Sequence, residues 1–406
     1  MKYWMLTLPL MTLACAQTTK KEYKWTSLSE VGYVANSVTV QKSDKAFNSD
    51  HGFENLEIKK TKAIGPANIQ KIVLIGDTGC RMKENKDGEA RYQNCKDPSD
   101  WKYAGVIDKI AAEKPDLIIH LGDYHYREQC SEGKDCRKMT DMIGYGWRTW
   151  EADFFAPSEK GFAAAPWMFV RGNHEECVRA FEGYKLISEQ KWDKSCVDQE
   201  KTEYIQLGDL LIVHLDSSTV SDKPELTEFA QFWDQQFKDI EARVATTKAK
   251  RVWLITHKPI AGLAFGRTGG ELNVLNHQLR TSLLKTNLKN KIELMIAGHI
   301  HNTQYLRTDN LPLQLIVGNS GTTLDDIEIL KEPIKIVNQK FQDIVPREFV
   351  SNSKSMKSFG YAVLSKNPVG DEWSIEFHDI DGTKTMSLPV RTLDVKKPAK
   401  GKKKAA

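Results

Sequence analysis

Nowhere in the 406 residues does an apolar run reach the roughly 20 residues that a bilayer-crossing helix needs. A protein that crosses a membrane with several helices is therefore excluded. No CxxC pair is present, so the compact zinc modules built on that spacing are not indicated. No internal repeat is visible. Surplus charge is also scarce where it would matter. The formal net charge is +4, but the stretch from Val395 to Ala406 holds six lysines (Lys396, Lys397, Lys400, Lys402, Lys403 and Lys404) and no acid. Without those six the balance is −2, so the body of the protein is near neutral and no basic nucleic-acid groove is suggested. Apolar residues at 40% and charged residues at 28% exclude a disordered chain or a collagen-like fibre.

The ends of the chain read as address and tail. Lys2, the apolar stretch Tyr3 to Leu13, and Ala14-Cys15-Ala16 have the form of an export signal cleaved after Ala16. Leu13-Ala14-Cys15 also resembles a bacterial lipid-attachment box, with Thr12 in place of its usual Leu, so lipid anchoring at Cys15 is the alternative. The lysine run reads as a solvated tail, with weak attachment to an anionic membrane or envelope polymer as the second reading. Cysteine usage fits export. Setting Cys15 aside leaves six cysteines in three successive close pairs, and nearest-neighbour bridging is the simplest of 15 connectivities: Cys80–Cys95, Cys130–Cys136 and Cys177–Cys196.

Between the ends, residues 1–16 are assigned to the signal, 17–68 to an N-terminal extension, 69–390 to one catalytic domain with a β-rich C-terminal segment, and 391–406 to the tail. The extension is polar, with one β-like run at Ser37-Val38-Thr39-Val40 and a close at Gly65-Pro66. Then strands and helices alternate. Strands are expected at 71–75, 116–121, 167–170, 252–256, 292–297 and 313–317, with a hairpin over 203–215 that turns at Gly208-Asp209. Amphipathic helices are expected over 100–114, capped by Ser99 and burying Trp101, Ala104, Ile107, Ile110 and Ala111, and over 224–246, carrying Leu226, Phe229, Phe232, Trp233, Phe237 and Ile240. After Phe359 the period changes to that of strands. This alternation calls for a central sheet with flanking helices.

Five short motifs follow five of those strands: Gly76-Asp77-Thr78-Gly79, Gly122-Asp123-Tyr124-His125-Tyr126, Gly172-Asn173-His174-Glu175, Thr256-His257-Lys258-Pro259 and Gly298-His299-Ile300-His301. Residues at the carboxyl ends of strands converge on one crevice in an α/β sheet. The converging donors are two carboxylates, one carboxamide, one phenol and three imidazoles, with His174 left over. Mixed oxygen and nitrogen donors suit first-row transition metals, and seven exceed what one open catalytic ion can use. Two ions sharing a carboxylate fit the count; about 3.5–4 Å apart, such a pair can activate water and hold both ends of an in-line displacement at phosphorus.

The motif set resembles that of the calcineurin-like metallophosphoesterases, and within them most closely the purple acid phosphatases. The common superfamily pattern opens Asp-x-His; here Gly79 takes the histidine's place, and Tyr126, three residues after Asp123, takes up its role as in the Gly-Asp-x-x-Tyr motif of purple acid phosphatases. The resemblance implies a four-layer α/β/β/α sandwich of two mixed sheets. It implies two metal ions: Fe(III) held by Asp77, Tyr126 and His301, and Fe(II), Zn or Mn held by Asn173, His257 and His299, with Asp123 bridging. His174 would steady the phosphoryl group and protonate the leaving group. The implied function is hydrolysis of small phosphomonoesters outside the cytoplasm, at acidic pH, with a phosphodiesterase or nucleotide pyrophosphatase on the same site as the alternative and a non-catalytic metal-binding surface protein behind both. The resemblance spans about residues 71 to 320. One departure is the lack of histidine just after Pro259, where Arg267 or His277 would have to serve. Several neighbours carry weaker signals. His125 is a supporting or a surface residue, His120 and His214 are core histidines, Asp216-Ser217-Ser218 is a candidate hydrogen-bonding loop, and Glu175 is either a first-turn acid or a functional group.

Overall fold

The computed structural model describes residues 20–41, 52–82, 92–130, 136–189, 195–222, 229–265, 272–308, 310–325, 346–351 and 358–390. The export signal with Cys15, Leu226, Arg267 and the lysine tail lie outside the described residues. In chain order the strands are β1 (Lys20–Ser29), β2 (Gly32–Gln41), β3 (Glu57–Lys62), β4 (Lys71–Ile75), β5 (Leu117–His120), β6 (Trp167–Phe169), β7 (Glu203–Leu207), β8 (Leu210–His214), β9 (Arg251–Ile255), β10 (Leu263–Phe265), β11 (Leu272–Val274), β12 (Leu294–Ala297), β13 (Thr303–Thr308), β14 (Leu313–Val317), β15 (Pro346–Ser351), β16 (Gly360–Lys366), β17 (Trp373–Asp379) and β18 (Lys384–Pro389). The helices are α1 (Tyr103–Ala112), α2 (Cys136–Met139), α3 (Trp147–Trp150), α4 (Ala156–Ala164), α5 (Phe181–Ser188), α6 (Ala230–Ala245) and α7 (His277–Leu284).

The strands form two mixed sheets. The first runs β18-β17-β16-β4-β5-β6-β1-β2-β3, and the second β15-β13-β14-β12-β9-β8-β7, with β10-β11 as a separate ribbon. At the centre of the first sheet β4, β5 and β6 are parallel; at the centre of the second, β8, β9, β12 and β14 are parallel. Antiparallel strands flank both.

The side-chain period of two explains why two sheets stack rather than one standing alone. In β4, Ile72 and Leu74 point to a core shared with Ile212, Trp253, Ile255, Leu294 and Ile296 of the other sheet. Val73 and Ile75 point the other way, into an aromatic core with α1 and the residue 147–162 region. In β8, Leu210 and Ile212 face the shared core, while Leu211 and Val213 face Trp233, Phe237 and Ile240 of α6 and Leu279 and Leu283 of α7. Strands apolar on both faces thus produce four layers, helix, sheet, sheet, helix, as the family resemblance implied.

The N-terminal extension folds as the meander β1-β2-β3, and Ser27 of β1 pairs in parallel with Trp167 of β6, so it widens the first sheet. Tyr23 and Trp25 anchor it by packing on Phe155. Helix α1 begins at Tyr103 rather than at 100, and Ser99 does not cap it; its backbone N–H is instead bound by the Asp97 carboxylate in the preceding turn. The buried face is Tyr103, Val106, Ile107 and Ile110, with Ala104 exposed. Helix α6 buries Trp233, Phe237, Ile240 and Val244, leaving Phe229 59% exposed, because that residue precedes the first turn. All three expected disulfides are present.

Candidate metal centre

Five loops reach one place. Strands β4, β5 and β6 of the first sheet lead into Asp77, Asp123 and Asn173; β9 and β12 of the second lead into His257 and His299. Neighbouring loops extend the strand pairing: the N–H groups of Asp77 and Thr78 donate to the carbonyls of Gly122 and Asp123, each at 3.0 Å, and Gly298 N–H donates to the His257 carbonyl at 3.0 Å. The chain has to turn sharply at each strand end. Asp77, Asp123 and His299 have φ of 55°, 58° and 70°, left-handed values that cost a non-glycine residue about 1–3 kcal/mol. At Gly122 (φ 97°) a Cβ would lie 2.5 Å from His257 Nδ1, so the approach of the two sheets' loops depends on the missing side chain.

Two donor groups share one carboxylate. Asp77, Asp123 and His301 form the first, Asp123, His257 and His299 the second, each with ligand atoms within 4.8 Å of one another. The Tyr126 hydroxyl completes the first group: it donates to Asp123 Oδ2 at 2.8 Å and lies 3.2 Å from Asp77 Oδ1 and 3.0 Å from His301 Nε2. Asn173 completes the second, with its Oδ1 3.1 Å from His257 Nε2. Backbone carbonyls orient the imidazoles. His257 Nδ1–H donates to Leu121 O at 2.7 Å and His301 Nδ1–H to Thr323 O at 2.9 Å, which leaves Nε2 of each ring to face the other donors.

The charges ask for a cation. Burial and the Asp123 charge push Asp77 well above the usual carboxylate range. Burial opposes ionisation of Asp123 too, yet His257 and His174 hold it well below that range. Burial and the two carboxylates drive the Tyr126 phenol far up, and burial depresses His301. Two carboxylates and a phenol buried around one volume are costly to ionise together without positive charge, and a bound metal ion would oppose the upward shifts of Asp77 and Tyr126 and reinforce the downward ones of Asp123 and His301. The donor set therefore fits two ions.

All seven residues expected to bind metal are brought together, with His174 beside them. His174 Nε2 is 3.8 Å from Asp123 Oδ2, and its ring packs on Tyr126 with centroids 3.9 Å apart. Burial lowers its pKa to about 4, against the opposing charges of Glu128 and Asp123.

Other residues support these, and of them Glu128, Arg179, Asp222 and Asp325 were not legible in the sequence. Glu128 pairs with both His174 Nδ1 and the Arg179 guanidinium, and Arg179 also donates to the Asn173 carbonyl at 2.7 Å. Asp222 Oδ1 lies 3.2 Å from His299 Nε2, and Asp325 Oδ2 accepts the His301 N–H at 3.0 Å. Glu175 proves to be a clamp: its carboxylate accepts N–H groups from Asp123 (3.0 Å), Tyr124 (2.9 Å) and Gly172 (3.1 Å), tying together the loops after β5 and β6. Ser217 Oγ accepts the Lys258 N–H at 2.8 Å, so the Asp216-Ser217-Ser218 loop does support the residue next to His257.

Other neighbours lie elsewhere. His125 is neither at the site nor on the surface; it is buried between Tyr145 and Trp150. His120 is a core residue stacked on Tyr124, and His214 is buried and paired with Glu203. His277 is engaged by Arg280 and Thr281 of its own helix.

Comparison with known proteins gives the same direction. The family model described as calcineurin-like phosphoesterase matches residues 70–303. Tartrate-resistant acid phosphatase type 5 of Sus scrofa is 24% identical over 273 residues, 64% of this chain and 72% of that protein. The probable inactive purple acid phosphatase 1 of Arabidopsis thaliana is 22% identical over 362 residues, 83% of this chain and 55% of that protein. Among solved structures, a purple acid phosphatase from yellow lupin (Lupinus luteus) seeds aligns with a TM-score of 0.49 at 15% identity, covering 88% of this chain and 59% of that one. This chain thus spans little more than half the length of the two plant proteins.

Proposed function

This chain belongs to the calcineurin-like phosphoesterase family, dinuclear-metal hydrolases of phosphate esters, and we propose that within it the protein is an exported, purple-acid-phosphatase-like phosphomonoesterase. The carrying observation is the pair of donor groups that share Asp123, with the Tyr126 phenol closing one of them. Asp77, Tyr126 and His301 would hold Fe(III), Asn173, His257 and His299 would hold Fe(II), Zn or Mn, and Asp123 would serve both ions. A phenol is a hard, anionic donor once deprotonated, which is the reason for assigning ferric iron to its side. When bound, the ions supply charge stabilisation at phosphorus and an activated water.

The chain's own residues do the rest. The Leu121 and Thr323 carbonyls hold His257 and His301 in the tautomer that presents Nε2. Glu128 occupies the Nδ1 side of His174, leaving Nε2 on the side of Asp123. There a protonated ring donates to a phosphoryl oxygen or to the leaving alcohol oxygen. Because burial favours the neutral ring, protonation of His174 needs acid, in keeping with activity at acidic pH.

Export is supported by the three disulfides, bonds that persist in oxidising compartments, together with the expected signal. Among the described residues no helix is long and apolar enough to cross a membrane. The test is metal analysis with a visible spectrum on the purified protein, then hydrolysis of p-nitrophenyl phosphate against its bis ester. A band that disappears in Tyr126→Phe and a preference for the monoester are expected; a colourless zinc-only enzyme overturns the ferric assignment, and a preference for the bis ester overturns the substrate class. The mass of the mature N-terminus distinguishes cleavage after Ala16 from lipid attachment at Cys15.

A further inference from the structure

A second fully buried carboxylate meets the Tyr126 loop from its backbone side. Asp153 lies in a π-helical turn, Glu151–Phe155, between α3 and α4. Its Oδ2 accepts the N–H groups of Tyr126 at 2.9 Å and Arg127 at 3.2 Å, while Oδ1 accepts the Cys80 N–H at 3.2 Å and Arg127 Nε at 2.5 Å. Four donors converge on two oxygens, from two loops that no sequence proximity links. Cys80 lies three residues after Asp77 in one loop, and Tyr126 three residues after Asp123 in the other. A single π turn within a helix is uncommon and concentrates at functional sites. Here its wider turn lets Phe154 and Phe155 stay buried in the aromatic core while Asp153 reaches the loops.

We propose that Asp153 is a positioning residue for the Tyr126 phenol, fixing where its oxygen stands relative to Asp77, Asp123 and His301. The phenol oxygen hangs from a backbone held at three points: the Tyr126 N–H on Asp153, the neighbouring Arg127 N–H on the same carboxylate, and the Tyr126 carbonyl, which accepts the Met82 N–H at 2.9 Å. Arg127 is itself held over the Trp101 ring, whose indole N–H donates to Thr78 O at 2.8 Å, so the ion pair is anchored on both loops. If Asp153 is replaced by asparagine, the shape is kept but an amide NH2 faces donors where an oxygen accepted them, and the two loops are no longer joined by one carboxylate. A shift of the phenol by about 1 Å is enough for a loss of about 10²-fold in rate.

The proposal rests on the metal-centre reading above, and the measurements separate the two. In the iron-loaded holoenzyme, Asp153→Asn is expected to lower kcat on p-nitrophenyl phosphate by about 10²-fold with KM little changed, and to shift the phenolate absorption band. Unaltered band position and pH–rate profile in a folded Asp153→Asn protein, whatever its melting temperature, overturn it by reducing Asp153 to a structural role. Should that variant not fold, hydrogen exchange of the metal-free wild-type protein decides. Peptides covering 77–82 and 124–128 are expected to be protected to the level of strand β5, and rapid exchange there overturns the proposal. A wild-type protein without any phenolate band sinks the ferric reading alone, because the exchange measurement needs no metal.

Discussion

Gly79 stands where the wider superfamily carries a metal-binding histidine, and replacing it with alanine tests why the exchange with Tyr126 goes together. A Cβ built at Gly79 lies 2.7 Å from Tyr124 O, 2.7 Å from Tyr126 N and 2.9 Å from Tyr126 Cδ2. Ordinary contact requires about 3.5 Å, so the neighbours must yield by roughly 0.7 Å, and the two nearest are backbone atoms. Moving Tyr126 N that far takes its 2.9 Å hydrogen bond to Asp153 beyond bonding range. Overpacking costs about 1–3 kcal/mol and the orphaned buried amide a similar amount, giving about 2–6 kcal/mol in all. For a domain of this size, with an unfolding entropy of about 2.1 cal/mol/K per residue, that corresponds to a fall in melting temperature of roughly 3–9 °C. The displaced phenol should lower kcat by about 10- to 10²-fold. Thermal unfolding by circular dichroism and steady-state hydrolysis of p-nitrophenyl phosphate read both effects. A Gly79→Ala protein that melts within a degree of wild type and keeps its kcat refutes the argument that the loop closes on Gly79.

Three further outcomes follow from other parts of the site. Glu175→Ala leaves the amides of Asp123, Tyr124 and Gly172 without their acceptor, at about 1–3 kcal/mol each, so it should be poorly soluble or strongly destabilised, while Glu175→Gln retains one acceptor and falls between; urea midpoints rank them. Glu200, raised to about 7 by burial and the Asp216 charge, holds a proton in the folded state between about pH 4.5 and 7 that the unfolded chain has lost. Its contribution therefore weakens as pH rises through that window, and Glu200→Gln should gain on wild type from pH 4.5 to 7 by at most about 3 kcal/mol; parallel unfolding curves at both pH values contradict this. Removing the Cys177–Cys196 bridge as a pair of serines opens a loop of 19 residues, a loss of about 3 kcal/mol, and withdraws the sulfurs that lie 3.7 and 3.6 Å from buried Arg171 Nη2. Calorimetric melting of wild type and double variant checks it.

What the sequence made legible, and what it hid, divides along physical lines. The central strands could be read because each is an apolar run buried on both faces: Lys71–Ile75 was bounded to the residue, and the hairpin turn fell at Gly208-Asp209. The donors could be read because each sits immediately after such a strand. Of the meander β1-β2-β3 only the run at 37–40 could, since Lys20 and Lys21 open β1 exposed, Lys60 takes an inward position of β3, and the anchoring comes from Tyr23 and Trp25 packing on Phe155, more than a hundred residues away. His125 could not be placed from its motif, because its burial comes from Tyr145 and Trp150, residues the motif does not include. Glu128, Asp222 and Asp325 are loop acids and Asp153 a helical one, none of them part of a motif in sequence; only the fold brings them to His174, His299, His301 and the Tyr126 loop.

The division also explains how a centre this strained can exist before any ion arrives. Three of its donors, Asp77, Asp123 and His299, sit on left-handed backbone that together costs several kcal/mol. The donors themselves offset only part of that: the Tyr126 hydroxyl donates to Asp123, but the buried charge of Asp123 opposes ionisation of Asp77 in the absence of cations. The rest of the compensation is outside the donor set. Glu175 binds three amides of the β5 and β6 loops, Asp153 binds three amides and a guanidinium of the β4 and β5 loops, and the two interlocking sheet faces hold the strand ends that feed them. A ligand set held in this way spends little of the metals' binding energy on ordering the chain. The consequence separates the two kinds of acid at the site: loss of a donor such as Asp77 should weaken metal binding while relieving repulsion and strain, whereas loss of a clamp such as Glu175 should destabilise the fold even when no metal is bound. Unfolding curves of the metal-free variants distinguish them, and a metal-free Asp77→Asn protein less stable than metal-free Glu175→Gln contradicts this account.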